Sequence, residues 1–599
     1  MRNNRKQDIE ILVNQIASIQ LPPFLSYLKK DSDNLFNAMN DNKIKIYKQN
    51  TSNNLLEVDV SLIQVPKYIF NKGAESIKYY SFKNDLSKRP MGIPNPVWFY
   101  CFVYNIIRSS ESWLKELYHD EKNMQDFIHH SNSPILGREN ILKFEYNDQE
   151  IVLKNYLSGI SNGKSNSKAF KNNQEKTMKI EGTNPMYLKI DVESYFQNIY
   201  THQFSKLSNQ TPYNKIDNSD NKITDFFQFL DKYNMAVNDN HTKGILQGPI
   251  SSAISAEFIG ISLDCEVVSS GLNLPFVRYV DDFTFFSDEY SKLELQIENM
   301  DRILRKVGLS RKSEKTILEK GFSPNKSANL SEIFFRLPFL ELKNSNYQMQ
   351  KNDFLNIRSY LHVLINEMNI PQIRSLLTII NKFMIENYKL KSMSSGQSVF
   401  LVPMILKLAY SFPVITSHIY RLLDTLCEIS EKSELHRIIN IILDNSEYIE
   451  SYYAETEIQI WHYYILSKYA KAKTRNKVLR KLFSKFKNDS HSTDPIILAF
   501  FINKNFSENF MIYEHVKNTY MYECGLDSKS STNLQGIGSS RWWIVVVELY
   551  KYTIKKRNSI SKTTKYRKEF NKISKKIESL FGTKTTPNYN ELGIFLFIL

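Results

Sequence analysis

The stretch "FVRYVDDFTFF", Phe276 to Phe286, leaves little conformational choice. Two strand-length runs of aromatic and β-branched residues are separated only by a pair of aspartates, a gap too short for any connection but a tight hairpin. The hairpin sets Asp281 and Asp282 side by side at its turn. Neighbouring like charges repel unless something positive sits against them, so the pair either meets a cation or stays in solvent. Taken alone the motif does not decide, since a surface turn has the same pattern.

A second acidic strand end lies upstream. In "MYLKIDVESYFQNIYTHQF" the run Tyr187 to Val192 reads as a buried strand that delivers Asp191 at its C-terminal end. An aspartate there is also a common helix N-cap. Three carboxylates at strand ends are, however, the donor set of two-metal catalysis. That chemistry needs acidic oxygens around two divalent ions about 4 Å apart, which activate a hydroxyl and stabilise departing pyrophosphate. Between the acidic segments, "GILQGPISSAISAEFIG" combines a flexible turn at Gly244, Gly248 and Pro249 with small residues that open a helix. A backbone so bare can approach a nucleotide or a template base, and it equally fits an ordinary loop-to-helix junction. Downstream, Lys315 in "VGLSRKSEKTIL" falls in a strand-entry turn, where a lysine could neutralise or protonate pyrophosphate or simply be solvated. Upstream, Lys83, Lys88 and Arg89 in "FKNDLSKRPMGIP" could clamp a triphosphate, and Arg89 has the planar fork that grips phosphate oxygens through two donors.

In order and spacing these segments resemble the motifs of reverse transcriptases. "KRPMGIPNP" is similar to the fingers motif, "IDVESYF" to the first palm aspartate motif, "LQGPISS" to the nucleotide-positioning motif and "YVDD" to the metal hairpin. "LSRKSEKT" is similar to the next palm motif and "FLELKN" to the strand that leads out of the palm. The resemblance implies that Asp191, Asp281 and Asp282 bind two Mg2+, that Gln247 and Gly248 shape the nucleotide pocket and that Arg89 meets the phosphates. It also implies that Phe196 is an aromatic steric gate whose ring excludes a ribose 2′-hydroxyl. "YFQNIYTHQF", with Thr201 and His202, resembles the continuation found in bacterial abortive-infection (Abi) reverse transcriptases, a defence-associated group, although "HQFSKL" departs from that group's usual Ser-Ile-Pro-Trp pattern. That narrower resemblance implies phage defence, with dNTP substrates, DNA grown without a template from a protein hydroxyl and so attached to the protein, and a homo-oligomer, in a bacterial cytoplasmic setting. The alternatives are a templated reverse transcriptase working on a dedicated noncoding RNA, which makes RNA a further partner, and a non-catalytic nucleic-acid-binding scaffold. A structural role for His202 is the simpler alternative.

Composition agrees with such partners. Lys plus Arg number 78 against 63 Asp plus Glu, a formal net charge of +15 in 599 residues, which attracts polyanions. An AT-rich coding sequence rich in Lys and Asn gives the same balance. The 4 cysteines are far apart and lack C-x-x-C spacing, arguing for a reducing compartment without zinc knuckles or a disulfide framework. No signal-like apolar core opens the chain and no run of about 18 apolar residues occurs, so a protein without a membrane partner is expected.

The organisation changes along the chain. Strand-length runs and helix-length segments alternate through the first part, an α/β texture, interrupted by the polar surface insertions "SGISNGKSNSKAFKNNQEKTMKIEGTN" and "SNQTPYNKIDNSDNKITD". From about Gln350, amphipathic helical segments follow one another, with no glycine between Gly396 and Gly525. The expected fold class is thus an α+β reverse-transcriptase fingers and palm followed by an all-α helical-repeat (HEAT-like) domain, with an irregular bundle as the alternative to repeats. The expected boundaries are residues 1–180 for the N-terminal and fingers region, 181–345 for the palm and 350–599 for a helical domain in place of a thumb. The basic segment "KKRNSISKTTKYRKEFNKISKKIESLF" near the end is either a nucleic-acid face or a solvated helix.

Overall fold

The computed structural model describes residues 47–49, 55–58 and 74–117, then 175–388 and 401–505 with short gaps, together with isolated stretches near 12–22 and 541–548. The first polar insertion lies largely outside the described residues and the basic C-terminal segment wholly so.

Two small hairpins come first. β1 (Tyr47–Gln49) pairs with β2 (Leu56–Val58), and β3 (Ile77–Phe82) pairs with β4 (Lys88–Ile93), both antiparallel. The segment "KRPMGI" is therefore the second strand of a hairpin, with Pro90 placed opposite Tyr80 on the ladder. Helix α1 (Pro96–Ser110) follows, started by a proline whose missing N–H costs nothing in the first turn. It is buried on every side except at Arg108. Its Asn105 side chain donates to Leu56 O and accepts from Leu56 N, standing in for a strand neighbour at the edge of β2.

The central sheet has the order β6-β7-β5-β8, formed by β5 (Met186–Asp191), β6 (Phe276–Tyr279), β7 (Asp282–Ser287) and β8 (Ile317–Lys320). Every pairing in it is antiparallel, so the alternating sequence texture produces an α+β rather than an α/β arrangement. The helices between β5 and β6 are α2 (Tyr195–Asn198), α3 (His202–Leu207), α4 (Lys222–Val237) and α5 (Ile250–Ser269). After β7 come α6 (Tyr290–Lys306) and, past β8, α7 (Leu330–Arg336).

Strand alternation sorts the sheet into two faces. Leu188, Ile190, Phe276, Phe283 and Phe285 point back into the main core, whereas Tyr187, Val277 and Phe286 form a small separate cluster in front. The core behind the sheet is aromatic. Trp113, Tyr213, Phe226, Phe227 and Phe258 pack edge-on or tilted, with ring centroids 4.8 to 6.3 Å apart. Tyr213 sits in the second polar stretch that reads as a surface insertion. It is fully buried, and its hydroxyl donates to Phe258 O at 2.7 Å, so one aromatic pins an otherwise polar loop. "FLELKN" also departs from expectation. Pro338–Glu341 form a 3-10 turn rather than a strand, since Pro338 has no N–H to give a ladder.

Nine further helices follow among the described residues: α8 (Lys351–Asn366), α9 (Ile370–Asn387), α10 (Val402–Ser411), α11 (Thr416–Ile429), α12 (Lys432–Asp444), α13 (Ser446–Tyr452), α14 (Glu457–Tyr469), α15 (Ala472–Asn488) and α16 (Pro495–Asn505). α9 packs on α11, α11 on α14 and α14 on α16. This row touches the fingers hairpin directly, because Tyr80 N donates to Glu455 O at 2.8 Å and Tyr80 bridges Thr456 in parallel. Among the described residues no single helix is long and apolar enough to cross a membrane.

Candidate active site

The three aspartates come together because of register. Asp191, the last residue of β5, lies opposite Asp282, the first of β7, and Asp281 occupies the two-residue turn between Tyr279 and Asp282. Like charges placed opposite each other on a ladder are destabilising unless compensated. Two lysines supply part of the compensation. Lys315 Nζ donates to Asp191 Oδ2 at 2.7 Å, and Lys189 Nζ lies 3.7 Å from Asp282 Oδ2. Lys315 reaches the site from the 3-10 turn Ser313–Lys315 ahead of β8. That turn is anchored where Lys312 N donates to Asp191 O and Glu193 N to Ser310 O, each at 2.8 Å.

The compensation is incomplete. Burial, followed by the charges of Asp282 and Asp191, pushes the Asp281 carboxyl up to about 7. Burial and Asp191 also raise Asp282, against the pull of Lys189 and Lys315. Asp282 Oδ1 is buried without a hydrogen-bond partner. The backbone is strained at both chain turns, with φ 45° at Ser194 and φ 60° at Val280. A β-branched residue at positive φ is an outlier, and such strain persists where the surroundings enforce it.

These features fit a divalent-cation centre. An orphaned carboxylate oxygen, and carboxyls pushed up by burial and by neighbouring charge, are what positive charge would relieve. Among the described residues no set of three or more His, Cys, Asp and Glu side chains already stands in ligand geometry, and Asp191 Oδ2 is turned to Lys315. Lys315 therefore occupies the position of a counter-ion at the first aspartate.

The other residues singled out in the sequence divide into two groups. Phe196 and the Gln247–Gly248 loop are brought together beside the sheet. Ile245 N donates to Phe196 O at 2.8 Å, and Phe196 is half-buried next to Tyr195, with ring centroids 5.8 Å apart. Gln247 O accepts from Gly92 N at 2.8 Å, which joins the fingers hairpin to this loop. Gly248 has φ +123°, and a Cβ there would lie 3.2 Å from Gly92 O, so both conformation and space require glycine. On the fingers hairpin Lys83 is half-buried and Arg89 exposed, and neither makes an ion pair with the aspartates. Arg89 lies near the buried Glu457 of α14. Burial pushes that carboxyl up to about 8, while Ser81 and Arg89 pull it back. His202 Nδ1 is 2.8 Å from Asp231 Oδ2, a pairing that accounts for the ring within the helical layer.

Sequence reasoning passed over Lys189 and a buried ionic cluster behind the hairpin. Arg278 of β6 points to the back face and is bound there by Glu257 and Asp264 of α5. The available signals were an arginine inside an apolar strand and two acids, Glu257 and Asp264, two turns apart on one face of a helix.

Residues 139–348 match the family reverse transcriptase (RNA-dependent DNA polymerase). Asp191, Phe196, Gln247, Gly248, Asp281, Asp282 and Lys315 fall inside that span, while Lys83 and Arg89 lie upstream of it. No curated protein matches the chain. Among solved structures, apo telomerase from Candida tropicalis aligns at 12% identity over 67% of this chain and 70% of that chain, with a TM-score of 0.30. Telomerase from Candida albicans in complex with a TWJ fragment of telomeric RNA aligns at 13% identity over 72% and 68%, with a TM-score of 0.25. The chain carries a reverse-transcriptase domain and is an RNA-directed DNA polymerase-like nucleotidyltransferase, a class of domain that uses divalent metal ions.

Proposed function

We propose that the chain synthesises DNA by two-metal-ion nucleotidyl transfer at Asp191, Asp281 and Asp282, and that it does so in antiphage defence. The observation that carries the chemical part is the register placing Asp191 opposite Asp282 with Asp281 at the adjoining turn. The three carboxylates would hold two Mg2+, which when bound supply a Lewis-acidic pair for the attacking hydroxyl and the departing pyrophosphate. Lys315 Nζ, freed from Asp191, carries positive charge and a proton toward the pyrophosphate side. Phe196 excludes a ribose 2′-hydroxyl, and Gln247 with Gly248 presents bare backbone to the nucleotide. Lys83 and Arg89 bear on the triphosphate only if the fingers hairpin closes over the cleft.

The biological setting rests on the "YTH" continuation after the first aspartate motif and on the helical row in place of a thumb. On that reading the helices form a HEAT-like domain, residues 1–180 are the N-terminal and fingers region, 181–345 the palm and 350–599 the helical domain, and an oligomer grows DNA without a template from one of its own hydroxyls. The second reading, a templated reverse transcriptase working on a dedicated noncoding RNA, shares the same centre and is favoured by the net positive charge. Purified protein incubated with labelled dNTPs and Mg2+, without added nucleic acid, separates the two. Label that runs with the protein until protease treatment supports protein priming. Dependence on co-purified RNA supports templating, and absence of incorporation under both conditions removes the polymerase reading.

A further inference from the structure

The hairpin that carries Asp281 and Asp282 is fixed from behind. Arg278 of β6 is 1% exposed, and all five of its N–H donors are used. Nε and Nη2 bond Asp264 at 2.8 and 2.9 Å, and Nη1 and Nη2 bond Glu257 at 3.0 and 2.7 Å. The remaining Nη1 donor goes to Val280 O at 3.0 Å. Val280 is the turn residue held at φ 60°, directly before Asp281. The guanidinium lies flat against α5 because Gly260 sits beneath it. A Cβ at that position would fall 2.5 Å from Nη1 and 2.7 Å from Cζ.

Stability alone does not call for this arrangement. Well-packed apolar residues in place of a buried ionic cluster are often as stable or more so. A planar fork fixed by two carboxylates does something that apolar packing cannot, because it holds a donor at one place and in one direction. Here that direction is the carbonyl of the strained turn.

We infer that Arg278 is a positioning residue for the reaction: clamped by Glu257 and Asp264, it holds the Val280 carbonyl and so sets the direction in which the Asp281 and Asp282 carboxylates face. The inference rests on the polymerase reading for its catalytic readout, and metal binding reports on it independently.

Two variants of the full chain test it. Gly260→Ala displaces the guanidinium without altering any charge. The triple variant Arg278→Met, Glu257→Leu, Asp264→Leu replaces the buried ions together by apolar residues and so strands neither a charge nor a polar group. Each is measured for melting temperature, for kcat and KM with a dNTP, and for Mn2+ affinity by titration calorimetry without nucleotide. Gly260→Ala should lower kcat about 30-fold, with KM for dNTP changing less than about threefold, as a misdirected catalytic group does. Mn2+ affinity should weaken about tenfold, in the range seen when a ligand loses its outer support. The triple variant should melt at or above the wild-type temperature and still show both defects. A triple variant with wild-type melting, kcat and Mn2+ affinity would overturn the inference, since the cluster would then only stabilise the fold. A wild-type chain that binds Mn2+ yet incorporates no nucleotide removes the polymerase reading and leaves positioning to be decided by the Mn2+ affinities. A wild type that does not bind Mn2+ removes both.

Discussion

The two faces of one hairpin carry opposite electrostatic solutions. In front, three carboxylates meet two lysines at the half-open end of the sheet, one aspartate oxygen has no partner, and Asp281 is pushed up to about 7 by burial and by its neighbours. Behind, Arg278 and two carboxylates are sealed from solvent with every guanidinium donor satisfied. Both places bury charge at a cost. The difference is that the rear cluster is complete within the chain, whereas the front leaves charge unmet. Unmet charge marks where chemistry can happen, and met charge marks what keeps it in place.

The comparison breaks most visibly if the front is not the working side. Asp281→Asn combined with Asp282→Asn should reduce dNTP incorporation by at least about a thousandfold, since removing the ligands forfeits several kcal/mol of transition-state stabilisation. Circular dichroism should be unchanged. Undiminished synthesis by this variant would end the metal assignment. A smaller effect separates the counter-ion from the ligands. Lys315→Ala should cost about 10- to 100-fold in kcat in single-turnover measurements, the usual range for a positioned acid. A loss as complete as that of the double aspartate variant would mean that Lys315 shapes the site rather than serving the leaving group. Phe196→Ala tests the wall of the site rather than its charge. Discrimination between dNTP and rNTP should fall about tenfold or more while dNTP turnover changes little, and an unaltered sugar preference would remove the gate.

The smallest expected effect is on stability, and its sign is fixed by linkage. The folded Asp281 carboxyl is raised to about 7, above its ordinary value, so its contribution to stability is present at acid pH and is lost as pH rises through about 7. Without divalent metal, Asp281→Asn should therefore melt above the wild type at about pH 8, and the gap should close near about pH 4. Mg2+ should narrow the gap at the higher pH. A pH-independent difference between the two melting curves would show that the front face bears no such strain.

The same contrast explains what could be read from the chain before its fold. The front was legible because hairpins and strand ends leave local marks: alternation, an acidic pair with no residues to spare, and an aspartate where an apolar run stops. β5, β7 and α5 follow from those marks. The rear was not legible because its logic is tertiary. Glu257 and Asp264 look like polar interruptions of α5, and only the approach of β6 over Gly260 makes them partners of Arg278. Tyr213 was hidden for the same reason, a core anchor inside a polar segment. The strand that contains Pro90 and the turn at Pro338 show local signals overridden in opposite directions, the first paired despite its proline and the second kept out of the sheet. The docking of Tyr80 against Glu455 joins segments too far apart in sequence to betray one another.

That last contact has a practical meaning. The outer edge of β3 finds its backbone partner in residues 455 and 456, at the entry to α14. A truncation that removed the later helices would leave this edge bare, and bare strand edges recruit other chains. The catalytic part and the helical part are thus poor candidates for separate expression. Shortened forms should collect in the insoluble fraction, and proteolytic nicking between α13 and α14 should cost solubility before it costs the catalytic centre.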